Sequence, residues 1–175
     1  MKATLEVESK VLGKVAIGYR PVEPEDRDFL CKVYASTRRE ELAPLSWTDA
    51  QKQEFLKMQF EAQDRYYRKQ YAGDAFLMIQ LDGRSVGRLY VGRWEEEIRI
   101  IDIALLPEYR GSGIGSAILS DLLAEAESEG KPVRIHVEKQ NPALRLYKRL
   151  GFVPIADRGV YDLMQWSPKV SRAGG

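Results

Sequence analysis

Leu5 and Val7 alternate with polar neighbours, and beyond Gly13 the residues Val15, Ile17 and Tyr19 do so again. That period of two predicts two short strands at the start of the chain. Behind Pro24 the period lengthens: Phe29, Leu30, Val33, Tyr34 and Thr37 recur at helical spacing until Pro44 closes the segment. A longer helix is predicted over about 48–72, with Phe55, Met58, Ala62 and Tyr66 on its apolar face and Gly73 as its stop. The period then returns to two. "AFLMIQLDGRSVGRLYVGRW" is a pair of apolar runs around Asp82-Gly83, a strong hairpin signal, and "EIRIIDIALLP" is a third strand whose near-continuous apolar end implies burial on both faces. Ile114, Ile118, Leu119, Leu122, Leu123 and Ala126 line a further helix that ends at Gly130. "PVRIHVE" (strand), "NPALRLYKRLG" (short helix), "FVPI" and "YDLMQW" (closing strands) complete the chain.

The order β-α-α-β-β-β-α-β-α-β-β predicts an α/β (α+β) fold, a mixed sheet with helices on both faces. At 175 residues, without repeats or a low-complexity linker, the chain reads as one domain over 1–175. Within it, 1–13 would supply an extra N-terminal strand and 167–175 a flexible tail.

Composition narrows the function classes. A formal net charge of +1 gives no global field for nucleic acid or an anionic membrane. No run approaches a membrane span, and the first residues lack the apolar core of a secretory signal, so a cytoplasmic protein is expected. The single cysteine, Cys31, permits no internal disulfide and no metal-binding pair; in its helical pattern it reads as a buried small hydrophobe.

The informative local feature is "PEYRGSGIGS", where Gly111, Gly113 and Gly115 join an apolar strand to a helix. Helix N-termini carry unpaired N–H groups and the positive end of the dipole, so this turn is suited to an anion, most simply a phosphate. Gly115 is followed by Ser116-Ala117 rather than Lys-Thr, which departs from a Walker loop. A dinucleotide loop would need a glycine or alanine at Ser116 or Ile118, although Glu138 lies near the position of a ribose-binding acid. Too little chain follows residue 110 for a doubly wound domain.

The pattern Arg110-x-x-Gly113-x-Gly115 is followed by Asn141-Pro142-Ala143-Leu144-Arg145-Leu146-Tyr147-Lys148-Arg149-Leu150-Gly151-Phe152. With these two linked motifs, and with the order of elements from Val15 to Trp166, the sequence resembles the GNAT superfamily of acetyl-CoA-dependent N-acetyltransferases. The resemblance implies a mostly antiparallel sheet of six to seven strands. It implies acetyl-CoA as acetyl donor, with no metal, and an amine acceptor. The turn Arg110, Gly111, Ser112, Gly113, Ile114, Gly115, Ser116 would wrap the pyrophosphate. Ile103, Ala104 and Leu105 would pair with the pantetheine amides where their strand splays from "PVRIHVE". Asn141 would cap the short helix and contact the donor, and Tyr147 would serve both as donor contact and as the acid protonating the departing thiolate.

A base is harder to assign. Glu97, thirteen residues before Arg110, occupies a position where some family members place a catalytic glutamate, yet it closes the charge run Glu95-Glu96-Glu97. Asp102 is the other carboxylate on that strand and, if buried, needs a partner. His136 alternates with Ile135 and Val137 and reads as a hydrogen-bonded sheet histidine. Trp47, Tyr66, Tyr67, Tyr71, Trp94 and Tyr161 offer aromatic walls for a cationic amine. A non-catalytic acyl-CoA-binding or interaction module on the same fold is the rival reading. Exposed edge strands allow a homodimer without specifying its interface.

Overall fold

Positive φ angles at Asp82 (48°) and Gly83 (84°) turn the central hairpin back on itself, as the Asp-Gly pair requires. Around that hairpin the computed structural model, which describes residues 4–169, builds one eight-stranded sheet. Its strands are β1 (Leu5–Ser9), β2 (Gly13–Pro21), β3 (Ala75–Leu81), β4 (Arg84–Arg93), β5 (Ile98–Leu105), β6 (Val133–Glu138), β7 (Val153–Arg158) and β8 (Tyr161–Trp166). Their spatial order is β1-β2-β3-β4-β5-β6-β8-β7, and every neighbouring pair is antiparallel except β5 with β6. The sheet is thus one strand larger than the upper expectation, because β1 pairs with β2 through Leu5 opposite Ile17. Of the expected tail, residues 170–175 lie outside the described residues, while the Lys169 N–H donates to Glu127 at 3.0 Å.

Four helices connect the strands: α1 (Arg27–Leu42), α2 (Asp49–Gln70), α3 (Ile114–Glu129) and α4 (Leu144–Arg149). Thr48 starts α2 with a capping box, its hydroxyl accepting from the Gln51 N–H while the Gln51 side chain accepts from the Thr48 N–H. The alternation of β3 divides the core. Ile79 lies in the larger apolar cluster with Ile114, Ile118, Leu119 and Leu122 of α3, and Met78 lies in a smaller one with Leu30 and Tyr34 of α1 and Leu56 and Phe60 of α2. So α3 covers one face and the α1–α2 pair the other.

The buried stripe of α2 differs from the one expected. Leu56, Phe60 and Asp64 point inward, whereas Met58 and Tyr66 are 60% and 57% exposed. The inward acid misled the pattern. Asp64 occupies a core-facing position because Arg27 and Arg68 both pair with its Oδ2, at 3.3 and 3.0 Å. Cys31 is half-buried rather than buried. It lines a groove of about 320 Å³ between α1 and α2 with Lys32, Lys57 and Phe60, and burial pushes its thiol pKa up.

Candidate active site

Two parallel strands that separate create a cleft in the middle of a sheet. β5 and β6 pair only through Ile98–Val133, Arg99–Arg134 and Ile100–Ile135. Beyond that point β5 continues along β4 to Leu105, while β6 continues along β8 to Glu138, so residues 101–105 and 136–138 form the arms of a fork.

The fork begins at a β-bulge. On β4, Tyr90 faces Asp102 and Val91 faces Ile100, so Ile101 has no counterpart there, and it has none on β6. The extra residue resets the alternation of β5. Ile98 and Ile100 lie in the α3-side core, and so do Ile103 and Leu105. Arg99 and Asp102 point instead toward the α1–α2 face. The bulge therefore leaves Ile101 without a register partner on either side at the apex of the fork, with Asp102 beside it turned to the α1–α2 face.

At the tip of the β5 arm lies the glycine turn. Gly111 and Gly113 have φ of 67° and 87°, a region closed to most side chains, and Gly113 precedes the first residue of α3. The first backbone bond into that helix is donated by Ala117 to the Gly113 carbonyl at 3.0 Å, so the N–H groups of Ile114, Gly115 and Ser116 point forward without helical acceptors. A Cβ on Gly115 would meet only Leu105 Cδ1 at 3.9 Å, which places the helix start against the end of β5. Ser9 of the N-terminal hairpin holds the turn from behind, donating to the Ser112 carbonyl at 2.7 Å. The Arg110 side chain folds back across the arm, its Nε donating to the Leu105 carbonyl at 3.0 Å and its Nη2 to Ser36 Oγ of α1 at 2.9 Å. Arg38, half a turn further along α1, pairs with Glu138 at the tip of the other arm at 2.7 Å.

Tyr147 on α4 has a buried ring, packed edge-on against Phe152 at 5.6 Å between centroids. Its hydroxyl bonds to no described residue, and among the described residues no fully buried side-chain polar atom lacks a partner, so the hydroxyl tip reaches solvent. Burial first, and then the charge of Asp102, push its pKa above the ordinary tyrosine range. Such a phenol keeps its proton at neutral pH. Asn141 caps the turn entering α4, accepting the Ala143 N–H on Oδ1 at 2.8 Å.

The carboxylates at the fork are occupied. Arg88, only 3% exposed, donates to both oxygens of Asp102, at 2.8 and 3.4 Å, and Tyr67 adds a third bond at 2.9 Å. Glu97 sits just before β5, 7% exposed, and its two oxygens accept from Arg99 at 2.9 Å and Arg134 at 3.0 Å. This arrangement uses Glu97 to tie β5 to β6 at the closed end of the fork. His136 is exposed and bonds to no described residue, unlike the paired sheet histidine expected; burial, then Arg99 and Arg158, lower its pKa.

The aromatic residues separate into groups. Tyr66, Tyr67 and Tyr71 cluster at the end of α2, where Tyr71 stacks on Trp94 at 6.3 Å and 17°. Trp47 packs apart from them against Phe55, and Tyr161 stands opposite Glu138 on β8. Sequence reading missed Arg88, Ile101, Ser36 and Arg38. Of these only Arg88 left a signal, a charge inside the apolar run of a central strand. Among the described residues no group of three or more His, Cys, Asp or Glu gathers as a metal site, and no helix is long and apolar enough to cross a membrane.

The profile of the acetyltransferase (GNAT) family matches residues 39–152, which includes the glycine turn, the fork and Tyr147. A Bacillus subtilis protein described as a putative [ribosomal protein bS18]-alanine N-acetyltransferase is 30% identical over 102 residues, covering 52% of this chain and 66% of its own. The glucosamine 6-phosphate N-acetyltransferase of Trypanosoma brucei brucei is 33% identical over 84 residues, covering 46% and 49%. The chain thus spans about half to two thirds of the length of the curated relatives it matches. Its fold superposes on a PaiA N-acetyltransferase from Thermoplasma acidophilum, solved in complex with coenzyme A, with a TM-score of 0.64 at 18% identity over 86% of this chain and 98% of the other.

Proposed function

The chain belongs to the acetyltransferase (GNAT) family, and from that membership we propose that it transfers the acetyl group of acetyl-CoA to a primary amine within one ternary complex. The observation that carries the reading is the fork: Ile101 without a register partner, and, at the tip of the same strand, a glycine turn whose helix-start N–H groups have no helical acceptors. In this reading the N–H groups of 113–116 hold the pyrophosphate, and the exposed edge of residues 103–105 receives the pantetheine amides. Asn141 borders the same channel.

Acetyl-CoA supplies the thioester as co-substrate, and the chain supplies three things. The Ile101 N–H donates to the carbonyl oxygen as negative charge gathers there. Tyr147 gives its proton to the departing sulfur and regains one from water. The amine loses its own proton to water, because Glu97 and Asp102 are each held by arginine and serve as no free base. The attacking nitrogen forms the C–N bond as the C–S bond breaks, leaving an amide and a free thiol.

The relatives named above are described as acetyltransferases of a ribosomal-protein alanine and of an amino sugar phosphate, so both peptide and small-molecule amines belong in the test. Thiol release with acetyl-CoA and an amine panel, with mass detection of the acetylated product, checks the reading. The saturation of both carboxylates favours one rival, a non-catalytic acyl-CoA-binding module. Stabilisation by acetyl-CoA with no turnover of any amine would select it.

A further inference from the structure

The register of the sheet aligns basic side chains on one face, from the closed end of the fork toward its tip. Arg99 of β5 stands beside Arg134 of β6, and His136 lies one step further along the same face. Arg158 shares that face, because it opposes Tyr161, and Tyr161 opposes Glu138. Glu138 is taken by Arg38, and the remaining acid is Glu97, one carboxylate divided between Arg99 and Arg134. With Asp102 held by Arg88, Arg99 and Arg134 share the single carboxylate of Glu97 among the described residues, and Arg158 stands further along the face, level with the arm tip. They remain reachable: His136 and Arg158 are exposed, and Arg134 keeps a third of its side chain in solvent.

Their geometry leaves hydrogen-bonding capacity over. Arg134 uses Nη1 on Glu97 and Nε on Gln165, and among the described residues Nη2 has no partner. Arg99 uses Nε on Glu97, also meets the Tyr71 hydroxyl, and rests its plane on the Trp94 ring at 5.1 Å. Two guanidiniums on adjacent strands, whose backbones lie about 4.8 Å apart, suit the oxygens of a carboxylate or phosphate. This is the Asp102 face, where an acceptor would approach the bulge.

We infer that the acceptor carries an oxyanion, phosphate or carboxylate, held by Arg99 and Arg134 with Arg158 at the rim, about 7 Å from the amine attacking at the Ile101 bulge. The spacing is two residues of strand. The inference rests on the acetyl-transfer reading for the role of the anion, but not for its site.

Two arms of one experiment separate them. His136 is the only histidine in the chain, so its imidazole Cε1–H gives one assigned proton NMR signal. Inorganic phosphate, and separately acetate, should shift that signal saturably at fixed pH and ionic strength, and the shift should be lost in Arg134→Gln and weakened in Arg158→Gln, an exposed position that the fold tolerates. The second arm compares matched amines with and without the oxyanion, an amino sugar phosphate against the amino sugar and an amino acid against its amide. The charged member should have a kcat/KM at least about tenfold higher, mainly through KM, and Arg134→Gln should erase that difference while leaving the KM for acetyl-CoA unchanged. An unshifted His136 signal, a shift that survives in Arg134→Gln, or equal turnover of matched pairs would each overturn the inference. If the NMR shift appears but no amine is turned over, the anion site stands and the acetyl-transfer reading falls.

Discussion

Arg88 grips Asp102 from a position almost wholly inside the protein, Nη2 lying 2.8 Å from Oδ2. The guanidinium also donates to Gln63 at 2.8 Å and faces the Tyr90 ring at 5.1 Å, so it is satisfied on several sides only while the carboxylate is present. Removing one partner strands a buried charge, whereas removing both strands none. Asp102→Ala should cost about 3–5 kcal/mol in denaturant unfolding, and Arg88→Met combined with Asp102→Ala should recover a large part of that loss. Additive losses in the double variant would contradict the pairing.

Glycines 113 and 115 should part company on substitution. Gly113→Ala places a Cβ at a φ of 87° and should destabilise the fold by about 1–2 kcal/mol. Gly115→Ala meets nothing closer than 3.9 Å and gains helix propensity, so it should be as stable as the parent or up to about 1 kcal/mol more so. Its methyl nevertheless covers the forward-facing backbone. Melting curves with and without acetyl-CoA should therefore show an unchanged or raised Tm alone and a reduced ligand-induced shift.

Tyr147→Phe removes a hydroxyl that bonds to no described residue, so stability should move by less than about 0.5 kcal/mol. Turnover should fall about a hundredfold or more with little change in acetyl-CoA affinity. Because the folded-state pKa is raised, the parent keeps this proton throughout the neutral range. Its kcat should rise with pH as the amine deprotonates and show no phenol-linked fall below about pH 10.

Glu97→Gln distinguishes a tie from a base. With its oxygens on Arg99 and Arg134, it should lower stability by about 1–3 kcal/mol while kcat stays within a fewfold of the parent. A loss of two orders of magnitude in kcat, with the acid limb of the pH profile gone, would restore it as the base.

Ser9→Ala tests the support behind the glycine turn. Ser9 is 5% exposed, donates to Ser112 and accepts from the Val11 and Leu12 N–H groups, so about 1–3 kcal/mol should be lost. Acetyl-CoA binding should weaken with it, since the turn loses its rear anchor. Isothermal titration measures that effect directly.

Local features were legible in the sequence and long-range pairings were not. The Asp82-Gly83 hairpin, the Thr48 start of α2 and the stop at Gly130 each depend on neighbours a few residues away, and each formed as read. The Ile101 bulge was hidden because "RIIDIALL" is apolar on both sides of the slip, so no alternation marks the change of phase. Glu97 read as a candidate base because its partner Arg134 lies 37 residues away. Asp64 defeated the apolar stripe of α2 for the same reason, with Arg27 another 37 residues distant.

Helix α1 touches both arms of the fork, through Ser36 to Arg110 on one side and Arg38 to Glu138 on the other. A cleft whose two jaws rest on one helix feels any shift of that helix on both sides. Its aperture is set by how α1 lies rather than by how either strand bends, and whatever loosens the Arg110 fastening is transmitted to the jaw that Glu138 ends. The two arms thus share one helix as their common brace.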